Sequence, residues 1–332
     1  MSKPIYVTKQ VLNSPSKFRE AIRELLPETQ QRLASRCGVI FEEESLSELM
    51  LAVLRLRQNR ETILKHEKNR RVLQIETFMN AVEKSLCSTV VSVPLSDPDI
   101  LRLLVFCIEI THQMFEGGIR ATTAAKSFRE KQRRYEEILL AQFIGKLGEV
   151  LLKRYLENLF PNTNIQLDWE ISPNRQKYTS DIPNAKHIVS IKSSPSLAGV
   201  WAEADIESEY GIMVKCVVPR ATLLQFFIEV CGYIRLFNFI EERVPKEDAL
   251  FQGYIQNIRN RVSQYRCDEV KTNLIGFVCG YFRTSEYEPT EQGQELEYLG
   301  AVREKRYLVK LSELHSLKQD WQKFLEENGL YT

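Results

Sequence analysis

The chain has 332 residues, 43% hydrophobic and 10% aromatic, with 45 Lys and Arg against 44 Asp and Glu for a formal charge of +1. That length and apolar content specify a folded chain of one large domain or two ordinary ones, and exclude intrinsic disorder. Near-neutrality excludes a global basic field, although a single cleft can still concentrate positive charge.

The opening residues MSKPIYVTKQVLNSPSKF lack the apolar centre of a signal peptide. The longest apolar run, LLQFFIEVCGYIRLFNFI, is interrupted by Glu229 and Arg235, so no membrane span is expected. Seven cysteines are scattered without a CxxC pair, which points away from a disulfide framework or a zinc site. A reducing cytoplasm is the expected compartment.

In chain order, residues 15–36 and 44–84 carry apolar positions at helical spacing, and 98–116 is apolar on nearly all sides, as a buried helix would be. Gly117-Gly118 interrupts the chain, and a basic stretch follows with Lys126, Arg129, Lys131, Arg133 and Arg134. One long helix is expected from near that stretch to about Phe160. Beyond Pro161 the pattern becomes β-like at 165–171, 187–194, 210–218 and 273–282, with helices at 220–242 and 247–266 between the last two. A β pair at 296–303 and 305–311 and a helix at 312–327 close the chain. The expected architecture is α/β, a sheet flanked by helices, with a mainly helical N-terminal region over 1–125 and a second region over 126–332.

Phosphodiester hydrolysis needs a divalent metal on hard oxygen ligands to activate water, and profits from a lysine near the scissile phosphate. The segment SDIPNAKHIVSIKSS holds such parts. Asp181 precedes a turn, a potential hairpin through Pro183-Asn184. Ser190 and Lys192 share one strand face, while Val189 and Ile191 point the other way into the core.

An aspartate, a short gap, then acid-x-Lys on an apolar strand resembles the PD-(D/E)xK nuclease superfamily, which includes most type II restriction endonucleases. The upstream GKLGEVLLKRYLENLF is similar to the superfamily's first core helix, with Glu149 at the position that often faces the metal. The resemblance spans roughly 135–282. It implies a restriction-endonuclease-like mixed sheet flanked by helices and Mg2+-dependent cleavage of double-stranded DNA. It further implies a homodimer for a palindromic target, a cognate DNA methyltransferase as genetic partner, and an N-terminal region devoted to target recognition or dimerisation.

The chain departs from the family pattern at Ser190, where Asp or Glu is usual. A carboxylate from elsewhere is then needed: Glu203 with Glu207 behind it (one face, if the segment is helical), or Glu149. Asp168 is the alternative to Asp181 as first ligand. The implied roles are metal ligation by Asp181 with Glu203 or Glu149, water orientation and charge stabilisation by Lys192, and hydrogen bonding by Ser190. Candidate DNA contacts are Ser193, Ser194, Arg175, Lys177 and Arg220. Two other readings are a nuclease subunit of a larger defence, repair or transposition complex, and a non-catalytic nucleic-acid-binding protein.

Overall fold

The computed structural model describes residues 4–67, 70–115, 135–171, 180–217, 242, 246–263 and 273–331. The N-terminal half begins with helices α1 (Lys9–Asn13), α2 (Pro15–Ile22), α3 (Leu26–Cys37), α4 (Glu43–Arg55) and α5 (Arg57–Ile63). Their boundaries follow from local chemistry. Ser14 Oγ accepts the Lys17 N–H with Pro15 in the first turn, and α3 ends on Gly38 at φ +70°. A hairpin of β1 (Leu64–Glu67) and β2 (Arg70–Leu73) follows, then α6 (Ile75–Thr89), β3 (Val90–Pro94) and α7 (Pro98–Phe115).

The second half is built on α8 (Tyr135–Leu159), β4 (Val189–Ser194), β5 (Trp201–Ala204), β6 (Tyr210–Val217), α9 (Ala249–Ser263) and β7 (Asn273–Arg283). Short strands β8 (Glu295–Leu296) and β9 (Gly300–Ala301), then β10 (Tyr307–Lys310) and α10 (Lys318–Glu327), complete the chain. The main sheet has the order β3-β7-β6-β4, with β4 parallel to β6 and the other pairs antiparallel. The protein is therefore a mixed α/β structure whose mixed sheet is flanked by helices.

Alternation along β6 assigns the layers. Ile212, Val214 and Cys216 join α7, α8 and α10 in the largest core, with Leu147, Val150, Leu151, Trp321 and Phe324. Val217 faces the N-terminal helices, in a second core that includes Phe18, Leu33, Met50 and Phe78. Met213 packs with Ala202, Ala204 and Val309 beneath the β5–β10 ribbon. Each fully buried Leu or Phe contributes about 1.5–3 kcal/mol, so both faces are firmly held. Lys215 is buried on the same side as Met213 and donates to Leu197 O and Gly199 O, both at 2.7 Å, which fixes the loop joining β4 to β5.

Several expectations change. Among the described residues the N-terminal region contains three strands, and β3 enters the main sheet beside β7. The boundary expected near 125 lies outside the described residues, as do residues 220–241 of the helix expected at 220–242; α7 before that boundary packs on α8 after it. Residues 165–171 form no strand, because their neighbour is a side chain: Asn184 takes the Gln166 N–H and donates to Asn164 O. The segment through Pro183-Asn184 is a turn and not a hairpin of two strands. The β10 strand pairs with β5 instead of the 296–303 segment, and the last helix starts at Lys318. Among the described residues no helix is long and apolar enough to cross a membrane.

Candidate active site

Three segments meet at the outer edge of β4. The first is α8, which can approach because Gly148 has no side chain: a Cβ there would lie 1.8 Å from Ser193 Oγ. The adjacent Glu149 is thereby turned inward and is only 8% exposed. The solvated helix position that its sequence neighbours Lys146, Lys153 and Arg154 suggest for it is not what the packing produces. Lys146, one turn earlier, donates to Glu149 Oε2 and to Asp168 O, both at 2.7 Å. Its ammonium sits 5.1 Å from the Phe106 ring centroid and 5.6 Å from that of Trp169.

The second segment runs alongside β4 where a further strand would otherwise lie. Asp181 N donates to Val189 O at 2.9 Å, and Asp181 Oδ2 accepts the Ile191 N–H at 2.6 Å. Asp181 is thus fixed by the edge of the Lys192 strand. Burial pushes its carboxyl upward from the ordinary range, while the Ile191 N–H and the charges of Lys192 and Lys146 oppose the shift. Burial likewise drives Glu149 up to about 8, with Lys146 opposing and Asp181 and Asp168 adding to the rise. A cavity of about 200 Å³ opens over Lys146, Glu149, Asp168, Glu170, Ser180 and Asp181.

The third segment follows β5. Lys192 Nζ donates to Asp205 Oδ2 at 2.6 Å, and Ser190 Oγ reaches the same oxygen at 3.4 Å. Ser190 and Lys192 share a face as expected, and Val189 and Ile191 lie in the core. The carboxylate delivered to that face belongs to Asp205, which was not foreseen.

Glu203 is not brought to this cluster. It lies on a strand, where Ala202 and Ala204 take the core positions, and its carboxylate is engaged by Arg306. Glu207 occupies the turn after β5, so the shared helical face does not exist. Asp168 lines the same cavity as Asp181, but its Oδ1 accepts the Glu170 N–H. Ser193 donates to Gly145 O, and Ser194 accepts the Ser196 N–H, so both hydroxyls serve local structure. Arg175, Lys177, Arg220 and the basic stretch 126–134 lie outside the described residues.

The donor set is hard oxygen and lysine. Among the described residues, no three His, Cys, Asp or Glu side chains converge as ligands of one ion. Instead the acids stand paired with lysines, Glu149 with Lys146 and Asp205 with Lys192. Sequence reasoning missed Lys146 and Asp205. The signal for Asp205 was its place two residues beyond Glu203 in AEADIE; for Lys146 it was the i, i+3 spacing to Glu149. Comparison with models of protein families, with curated proteins and with solved structures gives no match.

Proposed function

We propose that this protein is a divalent-metal-dependent endonuclease of the PD-(D/E)xK kind, with a restriction-endonuclease-like fold, acting on double-stranded DNA. The observation that carries the proposal is the meeting of Glu149, Asp181, Asp205 and Lys192 around one strand edge beside an open cavity. Charging Glu149 and Asp181 together in a buried site stays costly even with Lys146 beside Glu149, and a divalent cation would relieve that cost. Mg2+ needs only one or two protein carboxylates and keeps several waters, so Asp181 and Glu149 suffice to hold it. The ion would lower the pKa of bound water and offset charge on the phosphate.

The chain's own groups supply the rest. The Asp181 carboxylate is oriented by the Ile191 N–H. Lys192, positioned by Asp205, presents an ammonium that can hydrogen-bond the attacking water or a phosphate oxygen. Asp205 offers, from the residue after β5, the acid that Ser190 does not provide. Action as a homodimeric type II restriction enzyme, with a methyltransferase as genetic partner, is the finer form of the proposal.

Incubation with phage DNA and Mg2+ should yield fragments with discrete ends, and Lys192→Ala should abolish cleavage while sparing DNA binding. Unchanged cleavage by that variant would sink the assignment. The lysine pairing of both acids favours one alternative, a DNA-binding protein with a silent nuclease site. In that case DNA binding is indifferent to Mg2+ or Ca2+.

A further inference from the structure

A second concavity among the described residues is distant in sequence from the carboxylate cluster. It is an open groove of about 1100 Å³ between the start of α1, the β1–β2 hairpin and the 297–298 loop. Among the described residues Lys9, Arg55, Arg60, Arg70 and Arg71 line it, against the single acid Glu297. For a chain of net charge +1 this is a strong local excess of one sign.

These cations divide into two groups. Arg55 is buried and donates to Leu12 O and Ala198 O, while Arg60 donates to Arg55 O and Tyr298 Oη and lies 3.5 Å from Glu297. Both build the wall. Lys9, Arg70 and Arg71 have no carboxylate partner among the described residues, and Arg70 merely lies over the Tyr6 ring at 5.2 Å. They are the groups left for a ligand.

The wall is rigid. Tyr298 adopts φ +65°, a conformation rare for a residue with a side chain. Its ring is held by the Arg55 and Arg60 guanidiniums at 4.5 and 5.5 Å from its centroid. Past Tyr298 the groove continues into a smaller cavity of about 300 Å³ bounded by Val200 and Lys310. Val200 ends the loop that Lys215 pins, the loop leading from the Lys192 strand to β5.

We propose that this groove is a second nucleic-acid site, which holds the phosphodiester backbone of a DNA duplex outside the cleavage cluster. An open channel with three unpartnered cations suits successive phosphates. Both tyrosines already carry a guanidinium over the ring, so the lining favours charge contact over base stacking. The proposal rests on DNA being the ligand of this protein but needs no cleavage.

The test is fluorescence anisotropy of a labelled 30-mer duplex in EDTA, over a salt series, with the full chain and with Arg70→Ala/Arg71→Ala and Lys9→Ala. All three side chains are solvent-facing, and unchanged thermal melts would verify folding. The double variant should weaken binding tenfold or more and reduce the salt slope by about 2, and Lys9→Ala by about 1. Equal affinity and slope for all proteins, or no duplex binding by the parent, would overturn the proposal. So would competition at micromolar deoxynucleoside monophosphate or inorganic phosphate, which marks a small-anion pocket. Loss of cleavage in Lys192→Ala with intact groove-dependent binding separates the two sites, and groove-dependent binding by a protein that never cleaves leaves this inference standing alone.

Discussion

Lys192, on β4 of the main sheet, and Asp205, the residue that follows β5 of the ribbon above it, form an ion pair of 2.6 Å. The ammonium is thereby aimed before any substrate is present. At a partly exposed site such a pair adds little to stability, about 0–1 kcal/mol, so its value is positional. Asp205→Asn should therefore lower turnover by about 10²-fold while leaving the melting temperature within a few degrees. Adding Ser190→Asp, which returns an acid to the Lys192 face, should recover part of that loss. Full activity in Asp205→Asn would remove this residue from the mechanism.

The Glu149 carboxyl gives a pH dependence with a definite sign. Its pKa rises from the ordinary 4.5 to about 8 in the folded protein. Between those values the unfolded chain has lost a proton that the folded one retains. Stability without metal should then fall as pH rises through that window, by up to about 1.4 kcal/mol per unit, and level off above it. Urea melts from pH 5 to 9 should show the slope in the parent protein and lose it in Glu149→Gln; parallel profiles would contradict the assignment.

Metal binding runs the opposite way. A carboxyl that must shed its proton to ligate makes binding proton-linked. The apparent Mg2+ affinity should strengthen by up to tenfold per pH unit until about pH 8, then plateau. Calorimetry in buffers of different ionisation enthalpy would reveal the released proton. A pH-independent affinity would mean that Glu149 is not a ligand.

Gly148→Ala should disturb the contact between α8 and β4 more than a methyl group usually does, because its Cβ would meet Ser193 Oγ and lie 2.8 Å from Ser193 Cβ. Overpacking of this kind costs about 1–3 kcal/mol. Combining it with Ser193→Gly removes the obstructing atoms and should restore most of the loss. No rescue in a denaturant titration would place the cost elsewhere.

Cys37 on α3 and Cys87 on α6 have Sγ atoms 2.6 Å apart, and burial pushes the Cys87 thiol up to about 12. Oxidised glutathione should link the two slowly at neutral pH and faster at pH 9, where more thiolate forms. Closing a loop of that size should add stability of about 4 kcal/mol at most, reversed by dithiothreitol. Mass spectrometry after trypsin digestion would show the crosslinked peptides, and their absence would refute the pairing.

The sequence made some elements legible and concealed others for physical reasons. The runs that became β6 and β7 are apolar on both faces because helices cover both sides of the sheet. The β3 strand is five residues long and follows α6 directly, so its VVSVP offers too short an alternation to stand out as a strand. Asp181 and Lys192 were visible because their relation is set within one segment. Asp205 was not, since its meeting with Lys192 depends on where the loop pinned by Lys215 returns the chain. Lys146 lies in the largely apolar run FIGKLGEV, which says nothing of the Phe106 and Trp169 rings that reach it from distant segments.

The position of β7 bears on how the molecule assembles. Phe277 pairs with Val90 on one side, and Lys215 with Phe277 on the other, so a strand made late in synthesis joins two made much earlier. Until it emerges, β3 and β6 each present an unmatched row of amides, the kind of surface on which chains stick to one another. Contacts so remote along the chain also form slowly. A nascent or truncated chain ending before Asn273 should therefore be a poor folder with a need for chaperones.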